Sequence, residues 1–208
     1  MLKSLWDLFQ EKLFPFESTN TLFNMYKDVD FRFDALNANY IRRGNLENYV
    51  NLYSKKPKIL FIGEAPGKYG CRFSGIPFTS EEQICFDDFC LNGNQTSKRK
   101  KPYKEATATI FWSIMKEYFP KFFIWNCVPF HPHNENQFDN RTPSKSEIKE
   151  FVNFLNELID ILRPKEVIAI GRRAECSLKE LEISSICLRH PSHGGKDLFS
   201  LGVKDIFR

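Results

Sequence analysis

Residues 58–67, KILFIGEAPG, decide how the rest of this chain is read. Residues 59–62 form an unbroken apolar run that stops at Gly63. One carboxylate follows, Glu64, then Ala65, Pro66 and a second glycine, Gly67. A short apolar run bounded by turn residues is the pattern of a strand buried on both faces. A carboxylate just past such a strand stands at the carboxyl edge of a sheet, where open α/β folds keep their sites. The plainer alternative is an ordinary strand ending in a turn, with Glu64 in water.

Three more stretches read the same way. Residues 122–125 are apolar and end at Asn126; residues 166–170 end at the Gly171-Arg172-Arg173 turn; residues 184–188 end at Arg189 and His190. Helical spacing lies between them. It is clearest over 144–162, where Ser144 and Glu147 match a capping box and Pro164 stops the run. Weaker helical patterns cover 3–14, 45–53, 80–92 (with Ile84, Cys85 and Phe89), 104–118, 172–181 and 197–208. Strands alternating with helices imply a parallel sheet covered on both faces. The expected fold is α/β, a three-layer αβα arrangement with a central four-stranded parallel sheet. No internal repeat or long linker appears, so one domain is expected over residues 1–208.

Composition narrows the setting. The 208 residues carry a formal charge of +4, which permits a nucleic-acid partner without demanding one. No stretch approaches about 18 consecutive apolar residues, so no membrane span is expected. Asp7 and Glu11 interrupt the first apolar pattern, which reads as a helix rather than a signal peptide. The 6 cysteines include no C-x-x-C pair, so neither a zinc nor an iron–sulfur site is signalled. Cys127, Cys176 and Cys187 are expected to be buried thiols of a reducing, cytoplasmic compartment, in a monomeric protein.

In a parallel sheet the four strand ends share one edge. A carboxylate, a carboxamide and an imidazole therefore converge there. Glu64 can orient a water or offset a developing cation. Asn126 offers a donor and an acceptor to the edge of a base. His190 can donate to an oxygen that gains negative charge. Phe73 and Phe78 lie in a Gly- and Pro-broken loop, where either could present a face to a flat ligand or sit in the core. Gly194 and Gly195 allow close backbone approach to a phosphate. Leu198 and Phe199 read either as a wedge into a base stack or as core contacts of a terminal helix. The basic cluster Lys98, Arg99, Lys100, Lys101 is a solvated loop or a phosphate contact.

These motifs, in this order, resemble those of the uracil-DNA glycosylase superfamily over about residues 57–200. GEAPG at 63–67 resembles its first motif, in the form typical of its iron–sulfur branch. GIPF at 75–78 resembles the segment that stacks an aromatic on the flipped base. NRTP at 140–143 resembles the N-R-x-P run before the next helix, and HPS at 190–192 resembles the second motif. The resemblance implies hydrolysis of the bond between a base and its deoxyribose in DNA, with the nucleotide flipped out. It assigns catalysis to Glu64 and His190. Base binding would fall to Gly63, Ala65, Phe78 and Asn126. DNA contacts would come from Ser192, His193, Gly194 and Gly195, with Lys98 and Arg99. No metal or organic cofactor is required.

The departures are specific. No Cys precedes Cys71, so no iron–sulfur cluster is expected. The branch carries acids soon after its first motif, whereas this chain has Lys68, Tyr69, Gly70 and Cys71, leaving Glu64 as the one motif carboxylate. The base is therefore either uracil or a modified pyrimidine, including hydroxymethylated or glucosylated cytosine of phage DNA in a defence role. Three other classes compete. A phosphate loop is disfavoured because only three residues separate Gly63 from Gly67 and Lys68 is followed by Tyr69. A metal hydrolase would draw on His131, His133, His190 and His193 with Glu64. A catalytically silent DNA-binding module is the third.

Overall fold

A computed structural model describes residues 2–86, 91–136 and 138–208. The chain opens with α1 (Leu2–Leu8), which continues as one π-helical turn (Phe9–Leu13), then β1 (Leu22–Phe23) and α2 (Ala38–Asn51). Next come β2 (Ile59–Gly63), α3 (Cys71–Ser74), α4 (Glu81–Phe86) and α5 (Ala106–Met115). The middle holds β3 (Phe122–Asn126), β4 (His131–Pro132), α6 (Lys145–Glu150) and α7 (Val152–Leu162). The end is β5 (Glu166–Ile170), α8 (Arg172–Glu180), β6 (Ile186–Leu188) and α9 (Lys196–Ile206). Among the described residues no helix is long and apolar enough to cross a membrane.

The main sheet has four parallel strands in the order β3-β2-β5-β6. It is the expected sheet of an αβα fold. Alternation along β3 sorts its side chains between two helical layers. Phe122 meets Phe111 of α5 on one face. Phe123 and Trp125 point the other way, where Trp125 stacks on Phe9 with centroids 5.1 Å apart and also meets Phe154 of α7. All five residues of β2 and of β3 are buried, as unbroken apolar runs require. The register sets Gly63 opposite Asn126, so the exits of β2 and β3 are neighbours.

Several elements differ from the sequence reading. The long helix expected over 144–162 is two helices meeting at Phe151. The Ser144–Glu147 capping box forms as expected, but Phe151 N–H turns back to Ile148 O, and the ring is buried against Phe16 and Phe130. The strand expected over 184–188 is confined to Ile186–Leu188, and the helix over 104–118 is α5 plus a 3₁₀ turn (Lys116–Tyr118). The expected helix over 80–92 is described only as α4; Phe89 lies outside the described residues. Cys127 is buried and Cys187 partly so, but Cys176 is exposed. It projects from the face of α8 opposite Ala174 and Leu178, which are buried. The small antiparallel pair of β1 and β4, Leu22 with Pro132 and Phe23 with His131, was not foreseen.

A buried charge cluster ties the N-terminal segment to the loop after β2. Asp34 is fully buried between two fully buried arginines: its Oδ1 lies 2.7 Å from Arg42 Nη2 and 2.6 Å from Arg72 Nη1. Arg72 also sits over the Phe73 ring at 4.2 Å. Burial, aggravated by Arg72, lowers Arg42 to about 10, while Asp34 pulls the other way. Removing one member of a buried charge cluster strands the others without counter-charge. Asp34→Ala is therefore expected to lower stability by about 3–5 kcal/mol, read from urea unfolding at pH 7.

Candidate active site

The carboxyl edge of the sheet opens into a cavity of about 420 Å³. Glu64 from the exit of β2, Asn126 from β3, Arg173 from the start of α8 and His190 after β6 all line it. So do Ala65, Phe78, Ser192 and His193. Gly63 underlies the site: a Cβ there would overlap the Phe78 ring and lie 2.6 Å from Asn126 Oδ1. The glycine lets the aromatic and the carboxamide close over the strand end. Asn126 Oδ1 is buried with no hydrogen-bond partner, a polar atom left for a ligand to satisfy.

Glu64 is held by its own backbone, whose carbonyl accepts from Val128 N–H at 3.0 Å. Its carboxylate lies 3.8 Å from Arg173 Nη1, and Arg173 in turn donates to Thr142 Oγ1 at 2.6 Å. Burial raises the Glu64 carboxyl above the usual range, and the Arg173 charge works against that rise.

Phe78 sits at φ +52°, in a turn that Ser74 braces by accepting from Ile76 N–H and donating to Thr79 O. Its ring is 5.2 Å from Phe111 and 6.1 Å from His190. A bulky residue with positive φ persists only where its surroundings hold it, which is common in ligand clamps. Phe73 is placed differently. It is fully buried, stacked 4.3 Å from Tyr103, and does not line the cavity.

The His190 ring is oriented by its own segment. Its Nδ1 lies 3.2 Å from Ser192 N–H and 2.8 Å from Ser192 Oγ. The backbone N–H can only donate, so Nδ1 is the acceptor and the proton of the neutral ring sits on Nε2. Burial, then the neighbouring His193 and Arg189, lower His190 to about 4, so the ring is neutral at pH 7. The turn behind it needs glycine at position 195, because a Cβ there would overlap the His190 carbonyl. His193 and Gly194 both have positive φ.

Other residues singled out by sequence lie elsewhere. Gly194, Gly195, Lys98 and Arg99 do not line the cavity. Lys98 is tied to Phe33 O by its N–H and to Phe31 O by its ammonium, and Arg99 stands 4.5 Å over the Tyr103 ring. Leu198 is exposed, while Phe199 is fully buried near Phe111. His131 is buried, with Nδ1 2.9 Å from Pro66 O, so it tethers the GEAPG loop from behind. His131 and His133 are not brought to His190 and His193 at the cavity, and the described residues hold no group of three or more His, Cys, Asp or Glu placed for a metal. Arg141 of the NRTP run, by contrast, lines the cavity with Asn140 and Thr142, but its guanidinium is committed to Glu147 and to the carbonyls of His133, Thr142 and Thr21.

One group was missed altogether. Glu105, just ahead of α5, turns its carboxyl toward the GEAPG loop, and a Cβ at Gly67 or Gly70 would overlap it. It lines the same cavity as Glu64. In sequence it is an acid at a helix start, a position usually solvated and favoured by the helix dipole, so nothing local marked it.

A parallel αβα sheet whose strand ends supply an acid, an amide and a neutral imidazole to one cavity is an α/β fold with its site at the carboxyl edge. The family model of the Uracil DNA glycosylase superfamily matches residues 50–197, and the chain belongs to that superfamily. A Type-4 uracil-DNA glycosylase of Sulfurisphaera tokodaii is 26% identical over 123 residues, a match that spans 57% of this chain and 42% of that relative. The crystal structure of wild-type Pedobacter heparinus SMUG2 shares the fold, with a TM-score of 0.73 at 15% identity over 99% of this chain and 96% of that one.

The histidines make stability depend on pH. His131 and His190 both titrate near 4 when folded, mainly because burial disfavours the cation, against 6.5 for an unperturbed ring. Below 6.5 the unfolded chain takes up protons that the folded chain refuses, so stability is full above that value and is lost as pH falls toward 4. Glu64 and Glu105, both raised by burial, work the other way over this range, so the histidine contribution is read by comparison: the change in urea midpoint from pH 7 to pH 5 should be less destabilising in His190→Asn than in wild type.

Proposed function

We propose that this chain is a DNA glycosylase that hydrolyses the N-glycosidic bond of a flipped-out uracil or modified pyrimidine and leaves an abasic site. The observation that carries the reading is the convergence of Glu64, Asn126 and neutral His190 on one cavity, in a chain of this superfamily. The sugar bond is inaccessible inside a duplex, so the nucleotide must be extruded into such a pocket. Phe78 stacks on the base, while Gly63 and Ala65 let it approach the loop. Asn126, with an unpartnered oxygen, bonds its edge.

The chemistry follows from the protonation states. The C1′–N bond breaks with its electron pair going to the base, and the sugar acquires oxocarbenium character. The Glu64 carboxylate offsets that positive charge and orients the water whose oxygen bonds to C1′. Its raised affinity for protons suits it to receive the one the water loses. His190 Nε2–H donates a hydrogen bond to the base oxygen that gains negative charge, and the neutral ring does so without transferring its proton. Ser192, His193, Gly194 and Gly195 supply backbone and side-chain contacts to phosphates beside the flipped nucleotide. Lys98 and Arg99 extend that contact, and exposed Leu198 fills the stack the base has left.

Abasic-site formation on uracil-, hydroxymethylcytosine- and glucosylated-cytosine-containing DNA tests the reading. Glu64→Ala, Asn126→Ala and His190→Ala are each expected to lose about 10²–10³-fold in single-turnover rate, with the melting transition retained. Intact DNA in all three cases would leave a silent DNA-binding module. The phosphate role of the basic loop is tested separately. Neutralising Lys98 and Arg99 should weaken DNA binding equally on all sequences and lower the slope of log K against log salt by about 1–2.

A further inference from the structure

Glu105 is the part of the cavity wall that the reaction above does not use. Its carboxyl lies where side chains would project from Gly67 and Gly70; a Cβ on either would overlap it. Its backbone carbonyl accepts from Thr109, but among the described residues its carboxyl makes no hydrogen bond and no ion pair, although the residue is partly buried and faces the cavity. The carboxyl oxygens face the cavity rather than a protein donor, so their hydrogen bonds are left for water or a ligand to supply. Burial alone pushes it up to about 7, so near neutral pH both its ionised and its protonated forms are present. The first form accepts hydrogen bonds and the second also donates one.

Its position relative to the other groups is informative. Phe78 and Asn126 close together over Gly63, at the strand end of the GEAPG loop. Glu105 closes over Gly67 and Gly70, at the far end of the same loop. Because both ends line one cavity, a pyrimidine gripped by its ring at the first would meet Glu105 only through a substituent. A hydroxyl on a short arm suits Glu105 in either protonation state, since it both donates and accepts. A bare ring or a methyl group would leave the carboxyl unbonded.

We propose that Glu105 is a specificity-determining residue that hydrogen-bonds a polar exocyclic substituent on the extruded base, and that this cavity favours a hydroxymethylated pyrimidine over one with hydrogen or methyl at that place. The inference rests on the glycosylase reading for its substrate, and it deepens that reading by naming the substituent.

Three duplexes that differ only in one base test it: uracil, thymine and 5-hydroxymethyluracil. Thymine controls for size without the hydroxyl. Wild type should cleave the hydroxymethylated base with a kcat/KM at least about tenfold above that for thymine, because a site built around a hydroxyl rejects the analogue without it. That ratio should fall to near one in Glu105→Ala and Glu105→Leu. Glu105→Gln, which keeps a donor and an acceptor, should hold it within about threefold of wild type. Gly67→Ala, which adds a methyl where the carboxyl sits, should lower the ratio as Glu105→Ala does. Thermal melting of each variant confirms that it is folded. A wild-type ratio near one overturns the proposal, as does a ratio unchanged in Glu105→Ala and Glu105→Leu.

If wild type releases no base from any duplex, the glycosylase reading fails, and calorimetry with the free bases still decides about Glu105. Tighter binding of 5-hydroxymethyluracil than of thymine, lost in Glu105→Ala, supports the inference. Equal binding, or none, overturns it.

Discussion

The site depends on the in-register parallel pairing of β2 with β3. Because Gly63 stands opposite Asn126, the last residues of the two strands are held side by side by the ladder, and Glu64 follows directly. A slip of one residue would turn Asn126 to the opposite face of the sheet, away from Phe78. The pairing runs on past the strands, through Cys127 N–H to Gly63 O and Val128 N–H to Glu64 O. Glu64 is therefore fixed by backbone before any side chain acts on it. The absence of a side chain at Gly63 is the second half of the same constraint, since it gives Phe78 and the Asn126 amide their common space.

Around this edge the irregular loops are tethered by buried polar groups. Asp34 draws Arg42 and Arg72 together and so fixes the short helix after the GEAPG loop. Glu81 accepts from the N–H groups of Thr96, Ser97 and Tyr103 and from the hydroxyls of Thr96 and Ser97. It thus clamps the segment that leads into Glu105. Arg141 bonds three carbonyls and Glu147; burial pushes the Glu147 carboxyl up, but hydrogen bonds from Arg141, Ser144 and Thr21 outweigh it and hold it down to about 2. These are charge-assisted bonds to backbone, which give loops without a regular ladder a defined shape. The consequence is division of labour: Arg141 stands on the cavity wall, yet its guanidinium is consumed in holding the chain.

The sheet was legible in the sequence because its strands are short apolar runs stopped by polar residues, and a parallel sheet places all such stops on one edge. Glu64, Asn126 and His190 were found by that rule and stand together. What escaped depends on contacts distant in sequence. Glu105 meets Gly67 and Gly70 across a loop of more than thirty positions, and no local pattern encodes that meeting. The break at Phe151 is a tertiary override: the helical period continues through it, but burial of its ring against Phe16 and Phe130 accompanies the break. The β1–β4 pair was too short for any alternation to register. Phe73 and Phe78 were indistinguishable by type; tertiary contacts separate them, the first buried against Tyr103 and the second held at positive φ on the cavity wall.

The tautomer of His190 is set from within residues 190–192, by the N–H and hydroxyl of Ser192 rather than by a group on another element. The ring and its orienting partner therefore form one mechanical unit. If the segment shifts as nucleic acid seats against it, the ring and the groups that fix its proton move together. In the proposed reaction, alignment of that N–H with the base can adjust through the backbone, while the identity of the nitrogen that carries the hydrogen does not change.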